Sequence, residues 1–278
     1  MYIKLDTVKS GELHGMYFKA GNPHACIIMV HGLGEHIGRY REIAEKFLND
    51  SYSFIGVDLP GHGKSPGKRG HISDFSLFTS IIEELSLYVE NDDPGLPRIL
   101  YGHSLGGAIA LNYLVEKGNM TLGIITSPWL ELSLKPAAWK IKLASLISNF
   151  IPAMLQPSGL KAENLSADET IVRNYVEDPL VHSSISAGLF NAATINARRV
   201  LESKNKLNTK ILLMHGMKDR ITSHKASVVF AENNSYADLK LWDNGYHELH
   251  NELFKEEVYD YIIQWLNSAD ELKNNNKN

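Results

Sequence analysis

Hydrophobic residues fall into two patterns that alternate along most of this chain. Continuous apolar runs predict strands buried on both faces, at residues 26–30, 52–57, 98–101, 122–126, 211–214 and 239–242. Stretches with an apolar position every three or four residues predict helices, at residues 40–48, 74–89, 106–115, 223–231 and 253–266. Residues 2–19 alternate instead and predict an antiparallel hairpin at a sheet edge. The order of elements predicts an α/β fold with a mainly parallel sheet.

The alternation is interrupted between residues 127 and 187, where helical segments follow one another and no strand is predicted. We therefore predict a core formed by residues 1–126 and 188–278, with residues 127–187 inserted as a helical cap. The first part of the insertion carries apolar residues at helical spacing, among them Trp139, Leu143, Ile147, Phe150 and Ile151. Such a stripe fits packing and contact with a lipid surface equally well.

The composition favours a single large domain that acts on a small molecule. Of the 278 residues, 44% are hydrophobic and 22% are charged, which is enough for a substantial core. The formal net charge is −4, and no basic run or interleaving of aromatic with basic residues indicates binding to nucleic acid. The single cysteine, Cys26, lies in an apolar run and has no partner for an internal disulfide. The N-terminus lacks a signal-peptide pattern and no stretch is apolar enough for a membrane span, so we predict a cytoplasmic protein.

A candidate nucleophilic serine lies in the segment Gly102-His103-Ser104-Leu105-Gly106, between a predicted strand and a predicted helix. Glycines on both sides let the strand and the helix approach closely while Ser104 adopts a strained backbone conformation. Leu105 then begins the helix, so its backbone N–H is free to face an oxyanion. The segment predicts a nucleophile and an oxyanion donor in one unit.

A second match to the same pattern occurs at Gly63-Lys64-Ser65-Pro66-Gly67. We reject Ser65 as a nucleophile because Pro66 has no N–H and no helical pattern follows. The segment from Asp58 to Ser65 also approaches a phosphate-binding loop, but Asp58 stands where the first glycine belongs and would repel phosphate.

The histidine base and the carboxylate that a serine nucleophile requires are predicted after later strands. Asp219 follows the strand at residues 211–214, and His247 follows the last strand, so the order is Ser, Asp, His at one edge of the sheet. His250 is the alternative base, three residues further on. Asp243 is the alternative carboxylate, but it lies on the same segment as the base, whereas the supporting carboxylate usually comes from a separate loop.

Five segments together resemble the α/β-hydrolases of the monoacylglycerol lipase and lysophospholipase group, over roughly residues 10 to 270. They match the motifs HGxGEHxxRY, DxxGHGxS, GHSxGG, GxxDxI and YHxxHxE, at residues 31–40, 58–65, 102–107, 216–221 and 246–252. The resemblance implies an α/β-hydrolase fold, with a mainly parallel eight-stranded sheet flanked by helices and a helical cap after the sixth strand. It also implies that the backbone N–H groups of Leu33 and Leu105 form the oxyanion hole.

The same resemblance assigns residues to the glycerol end of a lipid ester, whereas the acyl end is a hypothesis from the apolar stripe. The glycerol end is expected beside Glu35, Arg39, Tyr175 and His250. The apolar stripe of the cap, from Trp139 to Ile151, is expected to wall the acyl chain. We therefore expect a serine esterase that cleaves a monoacylglycerol or a lysophospholipid through an acyl-enzyme, with the cap as a surface for peripheral membrane contact.

Two other functions remain open at this point. A general short-chain carboxylesterase would use the same three residues, and a non-hydrolytic binding protein would keep the fold without the chemistry. Neither a cofactor nor a metal ion is expected, because His31, His36, His62 and His103 lack the spacing of a ligand pair.

Overall fold

A computed structural model describes residues 1–7, 11–134, 138–204 and 206–273 of the chain. The strands are β1 (Tyr2–Thr7), β2 (Gly11–Phe18), β3 (Ala25–Val30), β4 (Tyr52–Val57), β5 (Arg98–His103), β6 (Leu122–Thr126), β7 (Leu155–Pro157), β8 (Ser184–Ser186), β9 (Lys210–Gly216) and β10 (Ala237–Trp242). The helices are α1 (Arg41–Asn49), α2 (Ser76–Asp92), α3 (Leu105–Glu116), α4 (Ala138–Phe150), α5 (Glu169–Glu177), α6 (Ala187–Leu201), α7 (His224–Glu232), α8 (Lys255–Ser268) and α9 (Asp270–Lys273). Short 3₁₀ turns lie at Ile37–Tyr40, Ala162–Asn164 and Leu249–Asn251.

Eight of these strands form one sheet in the order β1-β2-β4-β3-β5-β6-β9-β10. β2 runs antiparallel to both of its neighbours. The other six strands after it in this order, β4, β3, β5, β6, β9 and β10, are parallel to one another. The predicted α/β-hydrolase fold class and its mainly parallel eight-stranded sheet are confirmed. Because the parallel strands share one direction, the loops that follow β3, β5, β6, β9 and β10 meet at one edge.

Helices cover both faces of the sheet, and alternate strand residues enter two separate cores. In β3, Ile28 and Val30 pack on the side of α2, α3, α6 and α7, whereas Ile27 and Met29 pack on the side of α1 and α8. This period of two is the geometry of any strand, and burial on both faces explains why the sequence shows continuous apolar runs. Cys26 is buried in the first core as a free thiol.

The chain between β6 and β9 holds α4, α5 and α6 together with β7 and β8. β7 and β8 pair antiparallel, with Leu155 opposite Ser186. The expectation of no strand in this stretch is therefore wrong, because segments of three residues are too short to give a periodic signal. The division into a core and a cap at residues 127–187 stays a prediction. Among the described helices, none has the length and the apolar character to cross a bilayer.

Candidate active site

Ser104 occupies the sharp turn from β5 into α3, with φ 55° and ψ −117°. This backbone conformation is strained for a residue with a side chain, and two close approaches hold it in place. A Cβ on Gly106 would lie 2.0 Å from the carbonyl oxygen of Val30, and one on Gly102 would lie 2.5 Å from that of Gly106. Glycine is therefore required at both positions, and the turn presents the Ser104 hydroxyl at the sheet edge.

Ser104, His247 and Asp219 lie in one line of hydrogen bonds. The Ser104 Oγ is 2.9 Å from His247 Nε2, and His247 Nδ1 is 2.7 Å from an Asp219 carboxylate oxygen. The three side chains come from the loops after β5, β9 and β10, and all are buried. Their arrangement is that of a serine nucleophile, a base and a carboxylate that orients the base.

The loop after β9 fixes the Asp219 carboxylate by several hydrogen bonds. One oxygen accepts the backbone N–H groups of Ile221 and Thr222, at 2.7 and 3.0 Å. The other accepts the Thr222 hydroxyl at 2.9 Å and lies 3.1 Å from His215 Nε2. Asp243, the alternative carboxylate, is exposed at the turn after β10. The structure thus brings Asp219, and not Asp243, to the imidazole.

The alternative base His250 and the rejected nucleophile Ser65 are not part of this line of hydrogen bonds. His250 is buried with its ring stacked on Tyr40, at 4.8 Å between centroids, and neither ring nitrogen has a hydrogen-bond partner among the described residues. Ser65 is also buried, and its hydroxyl accepts the backbone N–H of His14 at 3.0 Å. Among the described residues there is no group of three or more His, Cys, Asp or Glu side chains that could hold a metal ion.

The pKa values of the central pair are shifted in opposite directions. Burial disfavours the charged imidazole, but the negative charges of Asp219, Glu248 and Glu35 raise the pKa of His247 above its ordinary value. Burial also opposes ionisation of Asp219, but the charge of His247 and hydrogen bonds from His215 and His247 hold the Asp219 pKa below its ordinary value. The site is therefore built to stabilise an imidazolium beside a permanent carboxylate.

The two predicted oxyanion donors flank the serine. Leu105 is the first residue of α3, and the first N–H groups of a helix have no acceptor within it. Leu33 lies in the loop after β3, next to Gly32, whose Cβ position would be 3.1 Å from the Ser104 Cβ. Glu35 accepts the Gly32 N–H at 2.6 Å and so fixes this loop.

A polar pocket opens beside Ser104, lined in part by Glu35, Tyr175, His247 and Glu248. Behind it, Arg39 Nη1 donates to Glu35 at 2.8 Å and to Glu248 at 2.6 Å, and Nη2 donates to Glu248 at 2.8 Å. The Arg39 guanidinium also lies over the Tyr175 ring, at 4.8 Å from its centroid. Arg39 thus contacts two other residues predicted for the glycerol end, Glu35 and Tyr175.

The comparison that decides the family is the match of residues 21–253 to the Hydrolase_4 family model, described as serine aminopeptidase, S33. The chain belongs to this family. The match spans more than four fifths of the chain, from the loop before β3 to the residues that follow His247.

Individual members of the family are also similar to this chain. Human monoglyceride lipase is 33% identical over 257 residues, which are 90% of this chain and 85% of that protein. An uncharacterised abhydrolase domain-containing protein of Dictyostelium discoideum is 35% identical over 88% of this chain, which spans only 26% of that longer protein. The crystal structure of Paleococcus ferrophilus monoacylglycerol lipase superimposes with a TM-score of 0.83 at 30% identity, covering 92% of this chain and 98% of that one.

A large cavity of about 470 Å³ also borders Ser104, and it shares Leu33 and Leu160 with the polar pocket. Besides Ser104, its walls come from the loops after β3, β6 and β9, the segment from β7 to β8, and α6. Lys161 and Arg220 are among the lining residues, but most of the walls are apolar. They include Trp129, Leu132, Leu160, Ile185, Phe190 and Ile221. Ser104 belongs to the lining of the cavity, which is large enough for a small lipid chain.

The structure differs from the prediction at the apolar stripe of α4. Trp139, Ile147, Phe150 and Ile151 are not among the described residues that line the large cavity. The exposed fractions are 63% for Trp139, 78% for Phe150 and 59% for Ile151. Helical spacing places Trp139, Ile147 and Phe150 on one helix, with Ile151 directly after its end, but it does not say which neighbour that helix packs against. The side chain of Leu143 lies outside the described part of the chain.

Glu248 and the walls of the large cavity are features that the sequence interpretation missed. Trp129 follows a predicted strand at the same edge as Ser104, so its position was a usable signal. Glu248 lies between the two candidate histidines, but its partner Arg39 is 209 residues away, and no local spacing encodes that contact.

Proposed function

We propose that this chain is a serine hydrolase that cleaves the ester bond of single-chain lipid esters, with monoacylglycerol as the preferred class. The observation that carries the proposal is the Ser104–His247–Asp219 line, with contacts of 2.9 and 2.7 Å, at the mouth of an apolar cavity. A polar pocket for the alcohol, which also borders Ser104, supports the same substrate class. The relatives named lipases support ester hydrolysis as the reaction.

In the first half of the reaction, Ser104 attacks the ester carbonyl carbon. Asp219 holds the proton of His247 on Nδ1, so Nε2 has a lone pair to accept the serine proton. The N–H groups of Leu33 and Leu105 stabilise the negative oxygen of the tetrahedral intermediate. His247 then gives its proton to the alcohol oxygen as the C–O bond breaks, and an acyl-Ser104 ester remains.

In the second half, water replaces the alcohol. His247 takes a proton from the water, whose oxygen attacks the acyl carbonyl, and the same two N–H groups hold the new oxyanion. The intermediate collapses to a fatty acid as His247 returns the proton to Ser104. The raised pKa of His247 favours the imidazolium that exists in both halves.

We place the alcohol end at the polar pocket, whose lining includes Glu35 and Tyr175. His250 lies behind it against His103, with both ring nitrogens unpartnered among the described residues. The pocket has a volume of only about 10 Å³, room for roughly one water-sized group. A glycerol therefore fits only when cap side chains such as Leu160 and Leu165 move outwards.

The cap also presents an apolar outer face, and we propose that it contacts a membrane surface. Trp139, Leu146, Phe150, Ile151 and Leu155 are exposed there. Contact with a lipid surface would bury this apolar area next to the cavity that receives the acyl chain. The cytoplasmic location stays a prediction from the sequence.

The proposed function is tested by labelling and by turnover on the same preparation. We expect a fluorophosphonate to form an adduct on Ser104 and not on Ser65, as located by peptide mass spectrometry. We expect hydrolysis of monoacylglycerol, with Ser104→Ala losing on the order of 10⁶ in kcat. Labelling at Ser65 would overturn the nucleophile. Absence of both labelling and turnover would favour a binding protein.

A further inference from the structure

A buried group of three charges lies beside the proposed nucleophile. Glu35 and Glu248 are 3% and 1% exposed, and both bind the Arg39 guanidinium. Burial opposes ionisation of Glu248, but Arg39 holds the Glu248 pKa below its ordinary range. With two carboxylates and one guanidinium, the group carries one net negative charge.

Two of these three charged residues belong to the lining of the polar pocket. Glu35 and Glu248 line it together with Ser104, whereas Arg39 is absent from its described lining. Three N–H groups of Arg39 are taken by the carboxylates, and the Tyr175 ring covers one face of the guanidinium. The carboxylates therefore balance the charge of Arg39 and use three of its five N–H groups.

The position of Glu248 is fixed by its own contacts. Its backbone N–H donates to the Leu165 carbonyl at 2.8 Å, which ties the loop of His247 to the cap. Its carboxylate also accepts the Asn251 side-chain N–H at 2.8 Å. Glu248 is thus held beside the leaving-group side of the site rather than free to turn away.

We propose that Glu248 is a specificity-determining residue that excludes anionic head groups and reserves the polar pocket for neutral, hydroxyl-bearing alcohols. It adds negative charge to the lining, and it balances the charge of Arg39 by accepting two of that residue's N–H groups. The inference rests on the proposed ester hydrolysis at Ser104. It separates neutral monoacylglycerol from lysophospholipids whose head group carries a net negative charge.

The test uses the full chain and two esters with the same acyl group, a monoacylglycerol and the matching lysophosphatidic acid, each below its micelle concentration. For the wild type we expect kcat/KM to favour the neutral ester by about 100-fold or more, since like charges in a binding site are strongly unfavourable. Glu248→Gln keeps the size and removes the charge. We expect it to raise the ratio of lysophosphatidate to monoacylglycerol turnover by about tenfold or more.

Glu252→Gln is the matched control. Glu252 is a buried carboxylate four residues further on, but it accepts the backbone N–H groups of Tyr246 and Ala167 and does not contact Arg39. Its substitution is expected to leave the substrate ratio unchanged. The rate of fluorophosphonate labelling reports whether each variant keeps an intact site, and Glu248→Ala serves as a second charge-removing variant.

A wild type that hydrolyses both esters equally overturns the proposal, with no variant needed. So does an unchanged ratio in Glu248→Gln or Glu248→Ala, provided that labelling is intact. Failure of the proposed function looks different, because then neither ester is hydrolysed although Ser104 is labelled.

Discussion

The Ser104–His247–Asp219 line and the large cavity beside it are built in different ways. On the core side, Ser104, Asp219 and His247 each follow a strand of one sheet, and backbone contacts fix them. The large cavity, in contrast, is enclosed by side chains from separate segments, such as Leu132, Leu160 and Phe190. The difference suggests that the chemistry is set by a rigid sheet edge, whereas substrate fit depends on side-chain packing that is free to vary.

The largest effect on turnover is expected from a substitution in the Ser104–His247–Asp219 line. Asp219→Asn is expected to lower kcat by roughly 10⁴, because the amide no longer holds His247 in the tautomer that accepts the serine proton. Steady-state hydrolysis of a soluble ester measures the loss, with unfolding followed by circular dichroism. Asp243→Asn, at the exposed turn, is the control and should be nearly silent. If instead Asp243→Asn is the damaging change, the carboxylate has been misassigned.

A smaller effect on turnover is expected from a substitution in the wall of the large cavity, and it should depend on acyl length. Phe190 lines the large cavity and packs against Trp129, at 6.0 Å between ring centroids. Phe190→Ala should lower kcat/KM for a long-chain ester by about tenfold and leave an acetyl ester almost unchanged, because only the long chain loses apolar contact. The comparison is made with monomeric substrates.

Phe150→Ala is the matched control for this prediction. Phe150 is the same residue type on α4, but it is 78% exposed and lies outside the described lining of the cavity. Its substitution should change monomeric turnover by less than about twofold, as expected for a surface position. A larger loss from Phe150→Ala than from Phe190→Ala would return α4 to the cavity wall.

The smallest expected effect concerns pH. His247 must be neutral to accept a proton, and its pKa is raised by Asp219, Glu248 and Glu35, so the inactive protonated form persists to higher pH. The acidic limb of the kcat/KM profile should therefore have its midpoint above about 6.5. Thermal unfolding over the same pH range separates titration from acid denaturation. A midpoint below 6 contradicts the electrostatic account.

The contrast between the Ser104–His247–Asp219 line and the large cavity also explains what the sequence could predict. The glycines around Ser104 and the strand ends before Asp219 and His247 are local signals with a mechanical cause. The helical spacing of α4 predicted the helix but not its exposed face. β7 and β8 were too short to detect, and Glu248 pairs with a residue 209 positions away. Contacts between distant segments have no period in the sequence.

The most direct test of the central claim is the acyl-length series of kcat/KM for the wild type, with monomeric monoacylglycerols. If the acyl chain enters the apolar cavity of about 470 Å³, each buried methylene contributes about 0.8 kcal/mol. Two added carbons should then raise kcat/KM roughly fifteenfold, until the cavity is full or diffusion limits the rate. A maximum at about four carbons, with a decline for longer chains, contradicts the lipid ester hydrolase and supports a short-chain carboxylesterase.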